Sequence, residues 1–228
     1  MASKTARLLA DSRQALFTML GVLAVLWLVQ LVNWTDDYGL SREWGLRSQR
    51  LDELPDILTM PLLHGSWDHI EANSWPLFAF GFLAAYRGMK KFLWVSLVVL
   101  LTGGLTVWLF ERPEAVTVGA SGMVYGYFGY VVLRGLLDRN LLDAVIGVVV
   151  AAAYAYVLLG VVPGDPGISW LGHLGGLIGG LGGAWLFRNR GPKPATAPAP
   201  APAARQAAAL QATGPRSALL KELDDLGL

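Results

Sequence analysis

Long uninterrupted apolar blocks constrain the fold of this chain more than any other feature of its sequence. Hydrophobic residues make up 54% of the 228 residues, and charged residues only 15%. The apolar residues fall in continuous runs, whereas the strands of a membrane barrel would alternate apolar and polar positions. Only helices and closed barrels satisfy their backbone hydrogen bonds inside a bilayer. The sequence therefore predicts an all-α, polytopic membrane protein.

Composition excludes several other classes of protein. The net charge is +1, which signals no nucleic-acid partner. The chain contains no cysteine, so that disulfides, thiolate metal sites and a cysteine nucleophile are excluded. A chain of this length is expected to form one helical bundle.

Six apolar runs divide the chain and predict a bundle of six transmembrane helices. The runs cover residues 14–34, 64–86, 92–110, 119–133, 141–162 and 168–187. The first run is long enough to span a membrane, whereas a signal peptide has a shorter core, so we interpret it as a retained helix. The predicted domains are a basic N-terminal arm over residues 1–13, a six-helix domain over residues 14–187 and a tail over residues 188–228.

The tail begins with alternating proline and alanine, over residues 191–204. This composition is typical of a semi-rigid extended linker without a packed core. Residues 205–228 are either a short amphipathic helix or disordered. The leucines that would form the apolar face of this helix are Leu219, Leu220, Leu223 and Leu226.

The distribution of basic residues predicts the orientation of the bundle. Fourteen of the 18 Lys and Arg residues lie in the N-terminal arm, in the turns after the second and fourth runs, and in the tail. The connections on the opposite side hold only four. By the positive-inside rule, both termini are expected to be cytoplasmic. We accordingly expect a multi-pass integral membrane protein, with the plasma (inner) membrane as its location.

The longest predicted connection, residues 35–61, contains six acidic residues and three arginines. It is long for a connection between two helices, which favours a segment that packs partly in the membrane interface. Trp44 is a candidate anchor for such a segment. A solvated acidic loop explains the same composition, so that the sequence leaves both interpretations open.

Three polar residues on three different runs share one predicted depth. Ser121, His173 and Asn73 each lie thirteen to fifteen residues before the basic residue that ends their run. At about 1.5 Å per residue this is roughly 20 Å above the inner boundary of a core about 30 Å thick. His69 lies one helical turn above Asn73 on the same face, and His64 is expected near the mouth of the site.

Ionisable residues at membrane depth indicate function by default, because burying them without a partner is costly. Interhelical hydrogen bonds in a packed bundle would account for the same residues, and this interpretation stays open. A metal site is the second alternative. The metal-type ligands are His64, Asp68, His69, Glu71 and His173. His64 and His69 would project about 140° apart on a helix, and no His-Glu-x-x-His pattern exists. We therefore predict no metal.

The same residues are suited to acyl transfer. A serine hydroxyl is a weak nucleophile without an adjacent base, and His173 is the only histidine predicted at the depth of Ser121 on another helix. Ser121 begins a helix, whose free backbone N–H groups would stabilise an oxyanion. His69 and Asn73 supply neutral donors from a neighbouring helix. The Gly-x-x-x-Gly pattern over residues 176–180 lets the sixth helix approach closely.

Three motifs together closely resemble the rhomboid family of intramembrane serine proteases. They are Gly119-Ala120-Ser121-Gly122, His173 within Gly172-His173-Leu174-Gly175-Gly176, and His64, His69 and Asn73 in this order on the second run. The resemblance covers residues 14–187. It implies a six-helix rhomboid-like bundle in a lipid bilayer, with membrane proteins as substrates and no cofactor.

The resemblance also implies roles for single residues. Ser121 would be the nucleophile and His173 the general base of a dyad without an aspartate. The oxyanion hole would combine the Ser121 backbone N–H with the side chains of His69 and Asn73, helped by Gly119.

Further positions support the resemblance or depart from it. Tyr125 matches the family tyrosine that packs beside the catalytic histidine, and Gly176 and Gly180 match the small-residue seam of the family. The first outward loop of the family commonly carries a Trp-Arg pair, where this chain has Arg42-Glu43-Trp44. Pro76 is expected to disturb the second helix near the site.

The function predicted from the sequence is that of an intramembrane serine endopeptidase that cleaves transmembrane substrates near the outer membrane boundary. The alternative is a non-catalytic rhomboid-like protein that binds membrane clients. A small transporter is disfavoured because no inverted repeat is apparent and the polar residues cluster on one side. The oligomeric state is left open.

Overall fold

The computed structural model describes residues 4–164, 167–189 and 222–226, and most of their regular structure is helical. Helices α1 to α7 are Lys4–Thr35, Gly39–Trp44, Trp67–Ala85, Met89–Phe110, Ser121–Leu137, Leu141–Ala153 and Trp170–Leu186. Strands β1 (Leu46–Arg47) and β2 (Val116–Thr117) pair antiparallel, with Leu46 opposite Thr117. Further 3-10 helices are Leu51–Ile57, Met60–Leu62 and Ala155–Val161. The predicted all-helical membrane architecture thus needs only one small correction, the two-residue strands.

Each of the six predicted apolar runs contains an α-helix, but α6 ends at Ala153, so that the rest of the fifth run forms a separate 3-10 helix. Among the described residues, Leu8–Thr35 and Met89–Phe110 are long and apolar enough to cross a membrane alone, and α6 with the next 3-10 helix, bent by 66°, would be a third span. Helices α5 and α7 have 17 residues each. This is about 26 Å of helix against a hydrocarbon core of about 30 Å. The chain is therefore a helical membrane bundle, and the count of six crossings stays a prediction.

Several helix boundaries differ from the predicted runs. Helix α1 includes the described part of the predicted arm, from Lys4 onward, because this part contains no Gly or Pro that would separate it from the first run. Helix α3 begins at Trp67 and not at His64, because the Ser66 side chain caps it by accepting the His69 N–H at 3.1 Å. The predicted disturbance at Pro76 does not end α3, which continues to Ala85.

Helix α7 packs between α4 and α5, and α5 also contacts α3 and α6. Glycines allow this arrangement. A Cβ atom at Gly176 would lie 2.0 Å from the carbonyl oxygen of Gly122, and one at Gly180 would lie 1.8 Å from that of Gly126. The backbones of α5 and α7 are therefore in direct contact along the predicted seam, which holds the two helix N-termini side by side.

The connection between α1 and α3 is folded against α4. Its buried apolar side chains include Leu46, Ile57 and Met60. Ser48 Oγ donates to the Trp108 carbonyl at 3.0 Å, and Trp108 Nε1 donates to the Arg50 carbonyl at 2.9 Å. Trp44, the predicted anchor, is about half exposed. The interpretation of this segment as a simple solvated loop is therefore wrong.

A buried ionic cluster joins α3, α5 and α6 at the ends away from Ser121. Arg134 Nη2 lies 3.0 Å from Asp143 Oδ1, and both side chains are 3% exposed. Arg87 Nε and the Tyr86 hydroxyl also donate to Asp143 Oδ1. Arg134 Nη1 donates to the Leu83 carbonyl at 3.0 Å. Arg134, used in the sequence as a marker of the membrane boundary, is thus buried because Asp143 neutralises it.

The chain divides into two units, Met1–Asn189 and Arg190–Leu228. Residues 222–226 are the described part of the second unit and form a helical turn, in which the Leu226 N–H donates to the Glu222 carbonyl at 3.2 Å. The predicted Pro/Ala linker and the rest of the predicted terminal helix lie outside the described residues.

Candidate active site

A cavity of about 560 Å³ lies where α3, α5 and α7 begin. The site residues predicted from sequence that line it are Ser121, His173, His69, Asn73 and Gly119. Each comes from a segment near the N-terminus of one of these helices. The structure thus brings the predicted nucleophile, base and oxyanion donors to one water-accessible space.

A short polar contact in this cavity joins the predicted nucleophile and base. Ser121 is the first residue of α5, and His173 lies in the first turn of α7. His173 Nε2 lies 2.8 Å from Ser121 Oγ. The Tyr125 ring stacks on the imidazole with 4.1 Å between ring centroids and 10° between planes. The imidazole is therefore held on one face while one ring nitrogen contacts the hydroxyl.

The N-terminus of α7 is fixed by a pair of residues that the sequence analysis missed. Ser169 Oγ accepts the Gly172 N–H at 3.2 Å and donates to Glu111 Oε2 at 2.8 Å. Glu111 follows the end of α4 directly. Ser169 before the apolar run is a recognisable N-cap signal, whereas its pairing with Glu111 depends on the fold.

The predicted oxyanion donors surround Ser121 in different ways. The Ser121 N–H has no partner inside α5 because it is the first residue of the helix. Asn73 Nδ2 donates one hydrogen to the His69 carbonyl at 2.9 Å, which leaves its second hydrogen for the cavity. Gly119 donates its N–H to the Met60 carbonyl at 2.9 Å. The N–H of Gly119 is thus already used inside the protein.

Gly119 instead shapes the site through its backbone. Its φ of +120° strongly favours glycine. A Cβ atom there would lie 2.6 Å from His69 Nε2, so that only glycine lets the His69 ring approach the loop before Ser121, residues 118–120, which we call the serine loop.

His64 is fully buried, and the prediction that it lies near the mouth is wrong. The Ala120 N–H donates to His64 Nε2 at 3.4 Å, and the His64 and His69 rings meet edge to face at 5.0 Å. A ring nitrogen that accepts a hydrogen bond belongs to a neutral imidazole. Burial, together with the neighbouring His69, lowers the pKa of His64 to about 3. Asn33 Nδ2 donates to the His64 carbonyl at 2.9 Å. Because His64 is fixed in this way and accepts the Ala120 N–H, it supports the segment before Ser121.

No cluster of metal ligands is present in the part of the chain that the structure describes. There, no group of three or more His, Asp or Glu side chains is arranged to hold a metal ion. The argument from helical projection does not apply, because His64 precedes α3. The absence of a metal stays a prediction.

Comparison with known proteins identifies the family. Residues 51–190 match the Rhomboid domain family model. The chain belongs to the rhomboid family. This rhomboid is 36% identical over 177 residues to an uncharacterised protein of Mycobacterium tuberculosis, covering 74% of this chain and 73% of the relative. It is 37% identical over 177 residues to one of Mycobacterium leprae, covering 74% and 70%. It is 33% identical over 140 residues to the chloroplast rhomboid-like protein 11 of Arabidopsis thaliana, covering 57% and 50%.

Proposed function

We propose that this rhomboid is an intramembrane serine endopeptidase that cleaves transmembrane proteins near the outer membrane boundary. The observation that carries the proposal is the 2.8 Å contact between Ser121 Oγ and His173 Nε2 at the N-termini of two packed helices. A contact between a hydroxyl and a ring nitrogen is the arrangement that activates a serine nucleophile. No cofactor takes part in the proposed reaction.

The proposed reaction begins when His173 Nε2 takes the proton of Ser121 as Oγ attacks a peptide carbonyl. The imidazolium then gives this proton to the leaving amine, and the C–N bond breaks to leave an acyl enzyme. Water, activated by the same imidazole, hydrolyses the ester and regenerates Ser121. The cavity of about 560 Å³ supports this last step because it gives water a place beside the serine.

The oxyanion is proposed to be stabilised by the Ser121 N–H at the start of α5 and by the Asn73 and His69 side chains. The positive end of the helix dipole adds to these donors. Replacement of Asn73 by alanine is expected to lower turnover by about 10²-fold to 10³-fold, the usual effect of losing one oxyanion donor. Steady-state cleavage of a model transmembrane peptide measures this loss.

Ser74→Ala is the matched control for Asn73→Ala. Ser74 is the next residue of α3 and bonds to the Ile70 carbonyl and to Trp27, away from the cavity. It should keep near wild-type turnover. Equal turnover in Asn73→Ala and wild type would make Asn73 a packing residue.

The proposed topology has six crossings over residues 14–187 and cytoplasmic termini. Its support is the excess of basic residues on one side of the predicted bundle. Because the chain contains no cysteine, single cysteines can be introduced without a background. A cysteine at Glu53 or Glu114 should react in intact cells with a membrane-impermeant thiol reagent, whereas one at Lys90 should react only after lysis. Reaction at Lys90 alone would invert the topology.

The direct test of the proposed function is cleavage of a single-span peptide with a small residue near its outer end by the purified protein in lipid vesicles. Mass spectrometry should locate one cut near the outer boundary, and a chelator should leave the rate unchanged. Stable binding of the peptide without cleavage would instead favour a non-catalytic protein that binds membrane clients.

A further inference from the structure

The second ring nitrogen of His173 has a partner that the sequence motifs did not indicate. His173 Nδ1 lies 2.9 Å from the carbonyl oxygen of Gly160. A carbonyl oxygen can only accept a hydrogen bond, so Nδ1 must carry the hydrogen. In a neutral imidazole this leaves the lone pair on Nε2, which is the nitrogen that faces Ser121 Oγ. The contact therefore selects the tautomer that a general base requires.

The local sequence explains why this carbonyl is free to accept. Gly160 belongs to the 3-10 helix Ala155–Val161, which is bent by 66° from α6. In a 3-10 helix each carbonyl accepts from the residue three positions later. For Gly160 that residue is Pro163, which has no N–H. The proline thus leaves the Gly160 carbonyl without its usual donor, and His173 takes that place.

Glycine is needed at this position because of space. A Cβ atom on Gly160 would lie 2.0 Å from the Tyr125 hydroxyl oxygen and 3.2 Å from His173 Nδ1. Gly160 does not share the positive φ of Gly119, so that its backbone conformation would accept alanine. The contact with Tyr125 is therefore the main obstacle to a side chain.

We propose that Gly160 is a positioning residue for His173, whose backbone carbonyl does the work that an acidic third residue does in a catalytic triad. Its carbonyl holds the ring edge opposite Ser121, fixes the hydrogen on Nδ1 and stabilises the imidazolium that forms when Ser121 loses its proton. Tyr125 holds the ring face, so that the imidazole is fixed in two directions. This inference rests on the proposed function, because the role exists only if His173 acts as a base.

Gly160→Ala tests the role through kinetics. Tyr125 and His173 must shift to admit the methyl group, so we expect kcat to fall by about 10²-fold, the lower end of what acid–base catalysis contributes, with little change in KM. Adding Tyr125→Phe removes the hydroxyl that the methyl group would meet. The double variant should therefore return close to the kcat of Tyr125→Phe alone. Gly164→Ala is the matched control, since a Cβ there would, among the described residues, come within 4 Å of the Val162 carbonyl alone.

Nitrogen-15 NMR of protein labelled at histidine tests the tautomer in the wild type. The His173 signals, assigned by their loss in His173→Ala, should show a protonated Nδ1 and an unprotonated Nε2. A protonated Nε2, or unchanged kcat in a folded Gly160→Ala, would overturn the role of Gly160 while wild-type cleavage still supported the protease. If Gly160→Ala fails to fold, the wild-type spectrum still decides. A wild type that shows the expected tautomer yet never cleaves would instead overturn the proposed function, and with it this role.

Discussion

Replacement of Ser121 by alanine is expected to abolish peptide cleavage, with turnover falling by about 10⁴-fold or more, as in serine proteases that lose their nucleophile. Ser121 Oγ is the protein atom that bonds covalently to the substrate in the proposed reaction. Its side chain is small and contacts His173, so that alanine should leave the packing of α5 unchanged. The loss should therefore appear in turnover and not in the thermal midpoint of the purified protein.

Ser96→Ala is the matched control for this loss. Ser96 lies in α4, where its hydroxyl bonds to the Phe92 carbonyl and to the Tyr127 hydroxyl, remote from the cavity. This variant loses a hydrogen bond worth about 1 kcal/mol of stability and should retain turnover. If Ser121→Ala cleaved the peptide at the wild-type rate and at the same bond, Ser121 would be excluded as the nucleophile.

Replacement of Gly180 by valine is expected to separate α5 from α7 and to remove activity as well as stability. The new Cβ would lie 1.8 Å from the Gly126 carbonyl oxygen, so that the helices must move apart by on the order of 1.5 Å to reach normal contact. His173 moves with α7, and a displacement of about 1 Å in an active site can cost about 10²-fold in rate. Turnover and thermal unfolding should both report the change.

Gly182→Val separates this packing effect from the helix propensity of valine. Gly182 lies in the same helix, and a Cβ there would meet none of the described residues within 4 Å. It should therefore unfold near the wild-type temperature and keep its activity. Similar losses in both variants would mean that glycine matters for the helix itself and not for the contact with α5.

Much of the fold could be predicted because membrane helices are encoded by local apolar runs. The apolar runs predicted where the helices lie. Counting residues from the basic end of each run predicted one common depth for Ser121, His173 and Asn73, and the structure shows these three residues around one cavity. The counting worked although Arg134 is buried, because its partner Asp143 lies at the same end of the bundle. That partner could not be found from sequence, since the pairing depends on how α6 packs.

The details of the site that were missed depend on backbone geometry. The serine loop, the capped start of α3 and the 3-10 helix after α6 each expose or occupy backbone groups in ways that apolar periodicity does not show. His64 was misplaced for this reason, because it belongs to the segment before α3. The sequence contains one local signal for the free Gly160 carbonyl, which is Pro163 three residues later. Its contact with His173 depends on how the bent 3-10 helix packs against α7.

Covalent labelling of Ser121 tests the central claim most directly. A fluorophosphonate needs an activated serine and a site for the resulting oxyanion, so that the wild type in lipid vesicles should form a Ser121 adduct that mass spectrometry can locate. The adduct should be absent in Ser121→Ala, fall sharply in His173→Ala and persist in the presence of a chelator. A folded wild-type protein that never labels at Ser121, with reagents of several sizes and at pH values where His173 is neutral, would contradict the account.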